Sequence, residues 1–274
     1  MIGVLRASRR RPAAFLAAAV LVAMAGVSFS APLWVRSPNT IDVLARLMPP
    51  SAAHWFGTDN LGRDLFSRIV YGAQVSLEIG FAVMAGSTLL GAVSGLLAGY
   101  YPRIDAILMR FLDGLMAFPA ILLALAMVAA LGANTPNEII ALTVVFWPRT
   151  ARIVRASTLQ LRSRPFVEAA VALGADDRTI LTDHILANAL NPLIIQSTFV
   201  YAEAMLADAA LSFLGLGVKP PTPTWGNILG DARAYLVDAP WFSVFAGVAI
   251  VLAVLSLNVV GDALRDVRSA RSLE

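Results

Sequence analysis

The chain has 274 residues, of which 58% are hydrophobic and 14% charged, against roughly 25% charged in soluble globular domains, so a soluble domain is excluded. Its one lysine, Lys219, precedes Pro220, so no Gly-Lys-Ser/Thr element exists and a P-loop ATPase is excluded. Without cysteine there is neither disulfide nor thiolate metal site, and a net charge of +3 is too mild to indicate nucleic acid.

In chain order, Arg6, Arg9, Arg10 and Arg11 precede an uncharged run from Pro12 to Val35. Ser28-Phe-Ser30 could mark a signal-peptidase site, but the run exceeds a typical signal h-region and further apolar runs follow, so a retained first span is expected. The segment Gly57–Tyr71 places Leu65, Phe66, Ile69 and Val70 on one side, with Asp64 four before Arg68. That spacing predicts an i,i+4 ion pair on a short interfacial helix. Val75–Gly99 then carries Ser87, Gly91, Gly95 and Gly99 at fourfold spacing, a stripe of small residues that lets helix backbones approach closely in lipid.

Further spans are expected at Phe111–Gly132, Ile139–Arg155, Leu190–Leu216 and Trp241–Val260. The fourth of the six is interrupted by Pro148 and Arg149 after nine mostly apolar residues. Charge retains it nonetheless. With six crossings and an internal N-terminus, fourteen arginines fall inside and six Lys/Arg outside, whereas omitting this crossing would put the Arg-rich interval 152–178 outside. Arg149, Arg152 and Arg155, three apart, share a face, either snorkelling to headgroups or pairing inside the bundle. Glu203 and Asp208 sit near the middle of the fifth span, where an ionised carboxylate is costly; they either line a water-filled path or bond to a neighbouring helix.

The polar interval from Arg152 to Asn191 is too long for a structureless connection. Pro165 suits a first helical turn, Gly174 a C-terminal stop with positive φ, and Asp176 or Asp177 a second N-cap before Ile180, Leu181, His184 and Ile185. A short helix, a glycine turn and an amphipathic helix result, a unit sized to fill a groove in a partner.

Glu168-Ala169-Ala170, then Gly174, then Ile185 resembles the cytoplasmic EAA loop of bacterial ABC-importer permeases, although Ala187 stands where that family commonly has proline. Gly57-Thr-Asp-Asn-Leu-Gly62-Arg63-Asp64, Leu211-Ser-Phe-Leu-Gly215-Leu-Gly217, Pro220-Pro-Thr-Pro-Thr-Trp225-Gly226 and Asn258-Val-Val-Gly261-Asp262-Ala-Leu-Arg265-Asp266 are similar to the second, C-type permease of dipeptide, oligopeptide or nickel importers. The resemblance implies an all-α polytopic protein with six transmembrane helices and a cytoplasmic coupling-helix loop at about 152–190. Its organisation would be a tail, first span and outer segment at 1–74, the importer domain at 75–268 and a tail at 269–274.

It further implies an ATP-driven importer of di- or oligopeptides, with nickel or glutathione as alternative cargo, in the bacterial inner membrane with both termini cytoplasmic. Glu168, Ala169, Ala170, Gly174 and Ile185 would contact the ATPase. Partners would be a second permease in a heterodimer, two ABC ATPases holding ATP and Mg, and a periplasmic or lipid-anchored substrate-binding protein. No catalytic residue, metal ligand or cofactor of this chain's own is expected. An ion-coupled secondary transporter would need repeated halves, which the sequence lacks. A membrane enzyme using both histidines would need His54 and His184 on one side of the membrane, and the expected topology separates them.

Overall fold

The computed structural model describes residues 12–271; the arginine-rich segment 1–11 and residues 272–274 lie outside it, and with them most of the two expected tails. All the regular elements described are helical. They run α1 (Pro12–Ser30), α2 (Leu65–Tyr100), α3 (Pro102–Met116), α4 (Ala120–Leu131), α5 (Thr135–Arg162), α6 (Pro165–Ala172), α7 (Asp177–Phe213), α8 (Trp225–Ala232) and α9 (Pro240–Arg271).

By length and apolar content α1, α2, α7 and α9 can each cross a membrane. A fifth crossing arises if α3 and α4 act together, yet they meet at 91°. The expected span over Phe111–Gly132 is thus two helices meeting at a sharp bend rather than one continuous helix. Proline disfavours helical geometry at the residue before it and supplies no N–H, and Pro119 itself is non-helical with φ −57° and ψ 129°, so the helix stops at Met116 and restarts at Ala120.

The fourth expected span also differs: α5 runs through Pro148 without interruption for 28 residues, about 42 Å at 1.5 Å per residue. It is too polar to count as a span by hydropathy, carrying Glu138 and four arginines. What holds it in the bundle is its contact with α2. The two helices run parallel, so that Gly91 meets Thr150, Gly95 meets Ala151 and Val154, and Gly99 meets Thr158. Ser87 is fully enclosed on the same face. At Gly95 a Cβ would lie 2.6 Å from the Ala151 carbonyl oxygen and 2.9 Å from the Arg155 nitrogen, so backbone approaches backbone there.

Antiparallel α7 closes the other side of α2, with the Tyr201 hydroxyl donating to the Leu77 carbonyl at 3.0 Å. Apolar side chains collect in three clusters. One joins α2, α7, α8 and α9 around Leu65, Trp225 and Phe242. A second joins α2, α4, α5 and α7 around Ile79, Val83 and Leu142. The third lies beneath the α5–α7 connection.

At the opposite end, the turn-rich segment before α2 is organised by Asp59, which is fully buried. Its carboxylate accepts from the Leu61 and Arg63 amides at 2.8 and 2.9 Å, from Arg63 Nε at 2.6 Å, and from Arg68. Asp231 of α8 approaches the same two arginines at 3.6 and 3.5 Å. The expected Asp64–Arg68 pair is therefore replaced. Asp64 is the N-cap of α2, bonded to the Ser67 amide and hydroxyl and to His54, while Arg68 turns to Asp59 and Asp231. There is also no separate interfacial helix. Leu65–Tyr71 is the first part of α2, and the expected boundary at 74/75 falls inside that helix.

Candidate functional site

The α5–α7 connection is built from local chemistry. Pro165 opens α6 at a position where its missing N–H is not needed, and α6 ends before Gly174, whose φ is +82°. Asp176 caps the next helix by accepting from the Thr179 amide at 3.2 Å. Hydrogen bonds from Thr179 hold the Asp176 carboxyl below the usual carboxylate range.

Asp177, the other expected cap, does something else. It accepts from the hydroxyls of Tyr100 and Tyr101 at 2.8 and 2.6 Å, fastening the connection to the end of α2. That bond raises the Tyr101 hydroxyl above its ordinary pKa, because the phenolate would repel the carboxylate it now serves. Arg162 adds a bond to the Tyr100 carbonyl at 3.0 Å and lies over the Tyr100 ring.

The second helix of the connection is not a separate element ending near residue 190. Residues Ile180–Leu186 form a π-helical stretch that passes directly into the rest of α7. Bonding from i to i+5 turns residues five apart towards one face, and Ile180 and Ile185 are both buried, at 2% and 0% exposure. They pack with Val167, Leu96, Val154 and Leu193, so the connection rests on a core shared by α2, α5 and α7. Ala187 and Pro192 both lie within the continuous helix.

The expected loop residues divide by face. Val167 and Ala170 point inward, while Glu168 and Ala169 are exposed. Phe166, Val171 and Leu173 present apolar surface outward, Leu173 at 88% exposure. A Cβ on Gly174 would meet nothing within 4 Å, so its backbone angle alone constrains that position.

The arginine face of α5 is an ion-pair ladder rather than a set of snorkelling side chains. Arg149 pairs with Glu203 of α7 at 2.6 Å, Arg152 with Asp113 of α3 at 2.5 Å, and Arg155 with Asp105 of α3 at 2.5 Å. The first two pairs are substantially open on this chain. Asp208 differs from Glu203: it is fully buried between helices, whereas the Glu203 side chain is partly open. The fully buried Glu138 was not singled out from the sequence, where it reads as a polar flank beside the Asn134 cap of α5. Its one signal was a carboxylate immediately before an apolar run.

The model of the binding-protein-dependent transport system inner membrane component family matches residues 87–272, and the chain belongs to that family. It is 48% identical over 222 residues to the dipeptide transport system permease protein DppC of Alkalihalophilus pseudofirmus, covering 81% of this chain and 73% of that one. It is 47% identical over 219 residues to the glutathione transport system permease protein GsiD of Escherichia coli, covering 79% and 72%. Among solved structures, the MetNI methionine ABC transporter in inward-facing conformations has a chain with a TM-score of 0.58 at 22% identity, covering 74% of this chain and 95% of that one. The chain is thus an ABC-importer permease of the peptide-transport group.

Proposed function

We propose that the chain forms one half of the pathway of a peptide importer and that α6 with the start of α7 is the handle through which separate ATPases move it. One observation carries this reading. Val167, Ile180 and Ile185 anchor the connection in the bundle core, while Phe166, Glu168, Val171 and Leu173 are turned outward from it. A rigid body anchored in this way transmits displacement to α2, α5 and α7 together.

The topology has six crossings, with α5 as the additional one and α3–α4 as a broken span. The positive-inside tendency puts the handle and both termini in the cytoplasm of a bacterial inner membrane. The Arg149–Glu203 pair faces the aqueous pathway or the second permease, since a charged pair turned to lipid is costly. Two ATPases holding ATP and Mg, a second permease and an external substrate-binding protein complete the assembly. Dipeptide and glutathione permeases as relatives favour peptide-like cargo.

In reconstituted complexes, Gly174→Val is expected to reduce stimulation of ATP hydrolysis by the loaded binding protein. Positive φ costs a side-chain-bearing residue roughly 1–2 kcal/mol, a factor of about 5–30 in the population of the docked turn. Gly174→Asn, which tolerates positive φ, should retain most of the stimulation, and Glu168→Arg should lose it through charge reversal on the exposed face. Full stimulation in both the valine and arginine variants would refute the coupling role.

A further inference from the structure

We propose that Glu138 and Asp208 bind a single proton between them, forming a buried carboxylic acid–carboxylate bond that fastens α5 to α7 at the end of the bundle away from the handle. Both side chains are completely enclosed, and they come from different helices. The helices bring them together: Ala141 and Leu142, one turn beyond Glu138, pack with Ala204 and Leu211 on either side of Asp208, and each carboxyl acts on the other. Yet both oxygens of Glu138 and Oδ2 of Asp208 have no partner so long as both groups are ionised. That combination has a simple cause. An ionised carboxylate only accepts, so two of them in contact form no bond; one proton turns the contact into a donor–acceptor pair.

Among the described residues no basic side chain acts on either group. Asp208 is reached by the hydroxyls of Ser76 and Ser212, the latter 3.3 Å from Oδ1, and by Glu138; Glu138 is reached electrostatically by Asp208 alone. Ser76 also accepts from the Trp225 amide at 3.4 Å. Its own proton is thereby free for Asp208, and the chain of bonds runs from the start of α8 through α2 and α7 to α5. Two uncompensated negative charges enclosed together would be strongly unfavourable, and a shared proton removes one of them. The proton is thus a structural ligand that joins four elements on the side of the bundle opposite the handle.

Infrared difference spectroscopy of the purified transporter complex tests the assignment. In each of E138Q and D208N the new amide donates to the remaining carboxylate, so both should assemble. At neutral pH the wild type should show a protonated-carboxyl C=O stretch that disappears from both variants. Absence of that band in the wild type, or its persistence in both variants, would overturn the proposal. A readout that needs no variant is the melting temperature of the wild-type complex in sodium, potassium and choline chloride. It should be the same in all three salts; stabilisation by one metal cation would show that a cation, not a proton, occupies the pair and would overturn the proposal.

Discussion

Asp59→Ala is expected to lower the stability of the permease by about 3–5 kcal/mol, the usual cost of leaving buried charge uncompensated. Asp59 is fully buried, and Arg63 and Arg68, with side chains 8% and 3% exposed, both direct a guanidinium nitrogen at it. Asp231, more distant and 37% exposed, cannot replace it for both. The same carboxylate accepts two backbone amides in the turn before α2, so truncation also loosens the link from the first span to the bundle. Asp59→Asn keeps an acceptor for those amides but removes the charge, and its loss should fall between alanine and wild type. Thermal unfolding of the purified complex measures this order. An alanine variant within about 1 kcal/mol of wild type, a typical surface-pair value, would mean that the arginines are compensated elsewhere.

Gly95→Leu should have a comparable effect by a different route. The Cβ alone would sit 2.6 Å from the Ala151 carbonyl oxygen and from Val154 Cβ, and 2.9 Å from the Arg155 nitrogen. Two of these atoms are backbone, so no side-chain rotation relieves the clash and α2 must move away from α5. Overpacking of this kind costs roughly 1–3 kcal/mol or more, and separation would also draw Arg152 and Arg155 away from their partners on α3. Gly114→Ala is the matched control, because nothing lies within 4 Å of its added carbon. Alanine there should be neutral or stabilise α3 by about 0.5–1 kcal/mol. Yield and melting temperature of the assembled complex report both outcomes; equal behaviour of the two variants would remove the α2–α5 contact from its central place.

The parts of the fold legible in the sequence are those decided by local chemistry. Pro165, Gly174 and Asp176 each set a boundary through the requirements of a single residue, and the helix starts, stops and caps as those residues dictate. The stripe at 87, 91, 95 and 99 belongs to the same class, because close approach needs small side chains at helical spacing. Pro119 carried the signal for the break between α3 and α4, but the apolar content of Phe111–Gly132 concealed it.

Other features depend on partners distant in sequence. Arg68 has an acid four residues before it, yet that acid is engaged as a helix cap, and Asp59 and Asp231 compete more effectively. The ladder on α5 draws its acids from α3 and α7, which no spacing along α5 reveals. Continuity from the π-helical stretch into α7 depends on Ile180 and Ile185 reaching a common core, a tertiary effect. Glu138 and Asp208, separated by 70 positions, acquire their significance only when the helices bring them together.

The handle's place in the assembly can be tested by a single cross-link. Leu173 is 88% exposed at the tip of the connection, and the chain contains no native cysteine, so Leu173→Cys introduces a unique thiol. In sealed vesicles holding the full transporter, a short thiol-reactive cross-linker should join this position to an ATPase subunit. Membrane-impermeant maleimide added to the periplasmic side should leave it unlabelled. Efficient labelling from that side, or a cross-link to the substrate-binding protein with none to the ATPase, would contradict the account.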